Sequence, residues 1–305
     1  QKLTHTTLKI VDIAGLVKGA SKGEGLGNKF LSNIRETDAI IHVLRCFDDP
    51  NIVHVDGEIN PLSDKEVVEY ELVLKDIEII ERRLEKIKKN LRSGNNETKK
   101  EIEILEKVLQ QLGNMSVDRN EFSNDQFEYY IKPLELISFK PILYVCNVGE
   151  GDVISGNNYV EDVRKEVESK DSEIIIISAK IESEINELES FEEKKIFLDD
   201  LGLDESGSNK LIRASYSLLN LHNYFTAGEK EVRSWTIKKG DSAYNAAGQI
   251  HTDFQKGFIC AEVISYDDYT QYGSELRVKE AGKMRLEGRD YIVCDGDIMH
   301  FRFNI

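Results

Sequence analysis

Asp12-Ile13-Ala14-Gly15 is the first stretch of this chain whose residue types could do chemistry. An aspartate closing an apolar, β-branched run, with glycine three residues on, is the device by which a nucleoside triphosphatase senses its γ-phosphate. The carboxylate helps to hold Mg²⁺, usually through water, and the glycine N–H approaches the phosphate because no side chain stands in the way. A glycine-rich connection with no ligand would read the same way in isolation. Here Gly19, Gly23, Gly25 and Gly27 follow, a loose segment suited to a loop that orders on a triphosphate and relaxes after hydrolysis. The water-orienting position is Leu16, whose aliphatic side chain cannot perform that task, so intrinsic turnover is expected to be slow. His54, in the loop after the next strand, is a candidate to place the water; a routine loop hydrogen bond is its alternative role.

Asn147-Val148-Gly149-Glu150 is the second constellation. A guanine-reading protein carries Asn-Lys-x-Asp there: the aspartate accepts two hydrogen bonds from the base, and the lysine stem packs on it. In this chain the carboxylate sits one methylene further out, on Glu150, and Val148 replaces the lysine. Losing two bonds to a charged group, at roughly 1.5 to 3 kcal/mol each, would lower a preference for guanine by about a hundredfold or more. Adenine is then the better fit. Without a ligand, NVGE is an ordinary strand-to-loop turn. Ser178-Ala179-Lys180 matches the third base-contacting loop, whose backbone amides approach the purine; Ser178 and Ala179 are the expected contacts.

These motifs need strands to end at them. LKIVDI (8 to 13), AIIHVLRCF (39 to 47), KPILYVCNV (140 to 148) and SEIIIISAK (172 to 180) read as buried strands. EGLGNKFLSNIRETD and NNYVEDVRKEVES read as helices between them, so strand and helix alternate as in a parallel α/β sheet. Tyr70, Val73, Ile77, Ile80, Leu84, Ile87 and Leu91 then follow a three-four spacing that resumes at Ile102, Leu105, Leu109 and Leu112. Two helices joined by the polar SGNNET form an antiparallel hairpin. Its ERRLEKIKKNLR (81 to 92) is either a solvated face balanced by glutamates or a docking surface. From about residue 222 the runs EVRSWTI, GFICAEVIS, RDYIVCDGD and MHFRFNI, with AYNAAGQIHTDF as a helix, make a small α+β domain.

A net charge of −16 over 305 residues opposes non-specific adhesion to nucleic acid. DNA is excluded as a partner on that reading, and any RNA contact needs local basic patches. Lys230, Arg233, Lys238, Lys239, Lys256, Arg277, Lys279, Lys283, Arg285 and Arg289, near Trp235, Phe254 and Phe258, offer one. A neutral domain with those aromatics in its core is the alternative. Cys46, Cys146, Cys260 and Cys294 lack metal or disulfide spacing and read as buried free thiols. No apolar run is long enough to span a bilayer, and no secretory signal opens the chain, which points to the cytoplasm.

The residues 11 to 47, the NVGE motif, NLHNYFTAGEKEVRSWTI, IHTDFQKGFICAEVI and KEAGKMRLEGRDYIVCDGDIMHFRFNI resemble the YchF family of Obg-like ATPases, within the TRAFAC class of P-loop NTPases. The resemblance implies an α/β G domain (1–60 and 140–221), an inserted α-helical hairpin (61–139) and a C-terminal β-grasp TGS domain (222–305). It implies an ATPase that prefers ATP to GTP, uses Mg²⁺ and associates with the ribosome through rRNA contacts of the TGS domain and hairpin. Asp12 would then serve the metal, Gly15 the γ-phosphate, and Asn147, Val148 and Glu150 the base. One departure is large: the phosphate-cradling GxxxxGK[ST] is not found, since GASKGEGLG lacks the Gly-Lys-Ser/Thr ending. The G domain is thus expected to lack its N-terminal part, with the P-loop upstream of Gln1 and little triphosphate affinity in residues 1–305 alone. A strict GTPase of Obg type and a non-catalytic ribosome-binding adaptor are the other functions weighed.

Overall fold

In the computed structural model, residues 2–13, 33–52, 57–90, 96–168, 172–228 and 230–304 are described. The chain divides into two compact units, Val11–Ala214 and Gln1–Ile10 with Ser215–Ile305.

The first strand departs from expectation. It is β1 (Lys2–Thr4), and it pairs in parallel with Glu231–Lys238 in the C-terminal unit. Residues 8–13 form no strand; Ile10 is 52% and Val11 38% exposed. The cause lies in edges. An apolar run becomes a strand only where a partner's backbone accepts it, and here the β-branched KLTHTT supplies the match, with Thr6 Oγ1 2.7 Å from Thr236 Oγ1. Ile13 turns instead into a small cluster with Ile34, Leu72 and Ile137.

The unit Val11–Ala214 is built on three parallel strands, β2 (Ile40–Arg45), β3 (Ile142–Asn147) and β4 (Glu173–Ile177), in that order across the sheet. Their apolar runs bury on a shared core with α3 (Asn158–Glu168), α4 (Ala179–Glu187) and α5 (Phe191–Asp200), through Leu44, Cys146, Val160, Val163 and Ile181. Between β2 and β3 stand α1 (Pro61–Asn90) and α2 (Asn96–Gly113). Ile80, Leu84 and Ile87 of α1 pack with Leu105 and Leu112 of α2, as the spacing predicts, and Ile104 and Val108 join them. Tyr70 leaves the seam at 53% exposure, and Leu91 lies outside the described residues. The basic cluster is balanced by carboxylates: Arg83 meets Glu101 and Lys88 meets Glu106, both at 2.7 Å across the hairpin, and Lys89 meets Glu85 on its own helix.

After α6 (Gly207–Leu218), the second unit is a mixed six-stranded sheet. It uses β5 (Leu221–Ala227), β6 (Glu231–Lys238), β7 (Phe258–Ile264), β8 (Arg285–Glu287) and β9 (Ile298–Phe303), in the order β1-β6-β5-β9-β7-β8. The helix α7 (Ala243–Ile250) lays Ala243, Ala246 and Ala247 on the sheet's core. RDYIVCDGD makes no strand, only an isolated bridge from Ile292 to Ser242; Gly296 within it sits at φ +83°, a conformation that ends a strand. Phe254 stacks on Phe303 at 3.8 Å, Phe258 meets Phe301 edge-on, and Trp235 packs beside Tyr224. The aromatics of the tail are therefore core. Cys46 and Cys146 are buried free thiols as expected, whereas Cys294 is exposed.

Candidate nucleotide site

Because β2, β3 and β4 run the same way, the loops leaving their carboxyl ends gather at one edge of the sheet, where α/β proteins bind ligands. Arg45, at the end of β2, braces the first loop by donating to the carbonyls of Phe47, Asp49 and Ile52 at 3.2, 3.2 and 3.0 Å. Asn157 ties this loop to the next, with Nδ2 donating to the Cys46 carbonyl and to Asp152 Oδ2, each at 2.8 Å.

The loops after β3 and β4 are joined directly. Asn147 Oδ1 accepts from the Ala179 N–H at 3.0 Å, and the Val148 N–H donates to the Ile177 carbonyl at 2.9 Å. Gly149 leads into a single 3₁₀ turn, Glu150–Asp152, and the Glu150 side chain is 46% exposed. Lys180 Nζ pairs with Glu150 Oε1. That hydrogen bond, and then the charge behind it, raises the ammonium's pKa, with Glu184 and Asp49 adding smaller pulls. The Ser178 hydroxyl is buried without a partner among the described residues. Behind the loop, Glu182 accepts from the N–H groups of Gly207 and Ser208 at 2.6 and 2.9 Å. A Cβ on Gly207 would lie 2.9 Å from Ile177 Cγ2, so glycine permits this close approach.

Of the residues expected at the site, Asn147, Glu150, Ser178 and Ala179 come together. Val148 does not join them through its side chain: it is 2% exposed and packs in the core with Leu44, Cys46 and Cys146. A contact of Val148 with a base would have to come from its backbone, because its side chain packs in the cluster that holds Tyr144 and Cys146. Asp12 is exposed at the start of the same unit; Gly15, Leu16 and His54 lie outside the described residues. Lys180 escaped notice because SAK was read for its amides, and Arg45 and Asn157 belong to no motif.

A second polar cluster lies on the same strand but under the hairpin. Lys65, with no exposed surface, donates to Glu69 at 3.0 Å and stands 5.5 Å from the centre of the Tyr144 ring. The Tyr144 hydroxyl donates to Glu69 at 2.5 Å, and His42 packs its ring 5.8 Å from that of Tyr144. Burial pushes the His42 imidazole down to about 4, against the pull of Glu69, and burial first, then the Glu69 bond, raises the Tyr144 phenol. Lys65, Glu69 and Tyr144 are bonded to one another with little access to water, and His42 packs on the Tyr144 ring, the mark of a packed anchor. Among the described residues no group of three or more His, Cys, Asp or Glu could hold a metal ion, and no helix is long and apolar enough to cross a membrane.

Comparison with known proteins follows this geometry. A family model described as "50S ribosome-binding GTPase" matches residues 1–107, and the model YchF-GTPase_C, described as a protein of unknown function, matches residues 221–304. The chain is 52% identical over 305 residues to the "Ribosome-binding ATPase YchF" of Haemophilus ducreyi, covering 100% of this chain and 84% of that protein. It is 50% identical over 308 residues to the protein of the same name from Bacillus subtilis, with the same coverage. The solved structure of the Schizosaccharomyces pombe YchF GTPase matches with a TM-score of 0.85 at 39% identity, covering 99% of this chain and 82% of that one. Strand ends gathered at one edge, the Asn147 clamp, and identity of this depth along the whole chain have one meaning: the chain belongs to the YchF family.

Proposed function

We propose that the protein is a ribosome-associated, Mg²⁺-dependent ATPase of YchF type, acting in the cytoplasm, whose nucleotide state controls its association with the ribosome. The observation that carries this reading is the junction of two strand ends by Asn147 and Ala179 beside the exposed Glu150 carboxylate, at the edge where a purine would sit. It is supported by relatives named ribosome-binding ATPases at about half identity. On this reading Asn147 fixes the two base loops, Ala179 and its neighbours present backbone to the purine, and Glu150 accepts from the amino edge of adenine.

Asp12, a single exposed carboxylate, fits Mg²⁺, which takes one or two carboxylates and completes its shell with phosphate oxygens and water. The ion, when bound with nucleotide, would neutralise charge that develops on the phosphates. Gly15 would present its N–H to the γ-phosphate and His54 would place the attacking water, with Arg45 bracing the loop that leads to it as far as Ile52. Leu16 accounts for slow intrinsic turnover. rRNA contacts are assigned to the exposed Lys238, Lys239, Lys256, Arg277 and Lys279 of the C-terminal unit, since the aromatics nearby are core. The domain limits read from the sequence, 1–60 with 140–221, 61–139 and 222–305, are kept in this reading except at the start of the chain, where residues 1–10 go with the C-terminal unit.

Co-sedimentation of the full-length protein with ribosomes in ATP, in ADP and without nucleotide tests it. The ATPase switch predicts that the bound fraction changes with the nucleotide. A fraction equal in all three would favour the non-catalytic adaptor and contradict the proposal.

A further inference from the structure

Lys180 stands where it can decide which purine is read. Its place is set by the fold: it is the second residue of α4, whose first N–H is held by Asn147 and whose Glu182 clamps the start of α6. From there its ammonium reaches across to the turn after β3 and pairs with Glu150 Oε1. Ser178, the buried hydroxyl at the same strand end, takes no part in holding that carboxylate, because its Oγ has no partner among the described residues. Both charged groups remain open to ligand, Lys180 at 70% and Glu150 at 46% side-chain exposure.

The chemistry of the bases separates two cases. Guanine presents two donors side by side, N1–H and the 2-amino group, and is read by a carboxylate with both oxygens free. Adenine presents an acceptor at N1 beside the donating 6-amino group, and asks for a donor next to an acceptor. A carboxylate alone only accepts and an ammonium only donates. With Oε1 engaged by Lys180, Glu150 no longer offers two free oxygens, and the pair together offers one donor and one acceptor.

We infer that the Lys180–Glu150 ion pair is the specificity element of the base pocket: Lys180 is a positioning residue that withdraws one carboxylate oxygen from guanine and gives adenine the complementary edge. The inference rests on the reading of these loops as the purine site and adds its selectivity device. It differs from the lengthened carboxylate alone, which by itself would still leave two oxygens free.

The test is competition of ATP and GTP against a fluorescent ADP analogue on the full-length protein. Lys180→Ala frees a charged acceptor for guanine and is expected to shift the ATP-to-GTP affinity ratio about tenfold toward GTP. Lys180→Arg should keep the parent's preference, since it restores the pair. In a Glu150→Ala background, Lys180→Ala should leave the ratio where Glu150→Ala has set it. Urea unfolding accompanies each variant; an exposed pair contributes little to stability, so the fold is expected to be intact. If Lys180→Ala leaves the ratio unchanged, or weakens both nucleotides equally, while Asn147→Ala still impairs both, the inference falls and the purine site stands. If Asn147→Ala and Glu150→Ala bind both nucleotides as the parent does, the purine is not read here and both readings fall.

Discussion

Tyr144 and Asn147 lie three residues apart on one strand, yet they anchor polar clusters of opposite character. Around Tyr144, Lys65 is wholly buried and Glu69, Tyr144 and His42 close on one another. Around Asn147, the backbone is equally well tied, but Glu150 and Lys180 face water and Ser178 Oγ is left without a partner. Ionic partners alone therefore do not identify a site. Access to water does: a cluster closed off from water holds the fold, and charged groups that face water at a strand's carboxyl end are open to a ligand.

Breaking the closed cluster should produce the largest effect. Lys65→Ala removes the cationic partner of a largely buried ion pair and should destabilise the protein by about 3 kcal/mol in urea unfolding, because Glu69 loses the ammonium that faces it where little water can replace it. Replacing both, Lys65→Met with Glu69→Leu, should recover much of that loss. A loss no larger than that of Lys180→Ala would erase the distinction between the clusters.

His42 gives the contrast a pH signature. Its folded pKa, about 4, lies below the ordinary imidazole value of 6.5, so the unfolded chain binds more protons between those values, and stability falls as pH drops from about 6.5 through about 4. Up to about 3 kcal/mol is at stake. His42→Asn should flatten the pH dependence of unfolding in that window. Asp76, whose carboxyl is raised by burial against hydrogen bonds from Ser138 and Ile137, acts with the opposite sign and is common to both proteins. Comparing parent and variant therefore isolates the histidine.

Smaller still is Tyr144→Phe, which keeps the ring and removes one hydrogen bond to a charged acceptor. It should cost about 2 kcal/mol and leave the ATP-to-GTP ratio unchanged, measured by unfolding and nucleotide competition on the same sample. A change in that ratio would show that the two clusters are coupled along β3.

The parallel strands were legible because doubly covered strands read as continuous apolar runs, and the hairpin because its three-four spacing persists through two helices. Less was legible where a residue's meaning depends on direction or on a partner. Val148 stands where a guanine reader has its base-packing lysine, and in a run apolar on both faces only the fold shows that its side chain packs with Tyr144 and Cys146. LKIVDI had a strand's composition but no information about which edge would accept it, and the chain instead pairs Lys2, Leu3 and Thr4 with Glu231, Val232 and Arg233, more than 220 positions later. Lys180 lay inside a recognised tripeptide; only the fold shows that its ammonium reaches Glu150, 30 positions earlier in the chain. The basic residues of the hairpin and their balance by glutamates were legible as a pattern, and which glutamate of the facing helix meets which basic residue was not.

Direct titration of the full-length protein with ATP and with GTP, in the presence of Mg²⁺, bears most immediately on the central claim, that the strand ends joined by Asn147 and Ala179 form a pocket for adenine. Tighter binding of ATP is the predicted result. GTP binding as tightly as ATP, or more so, would contradict it.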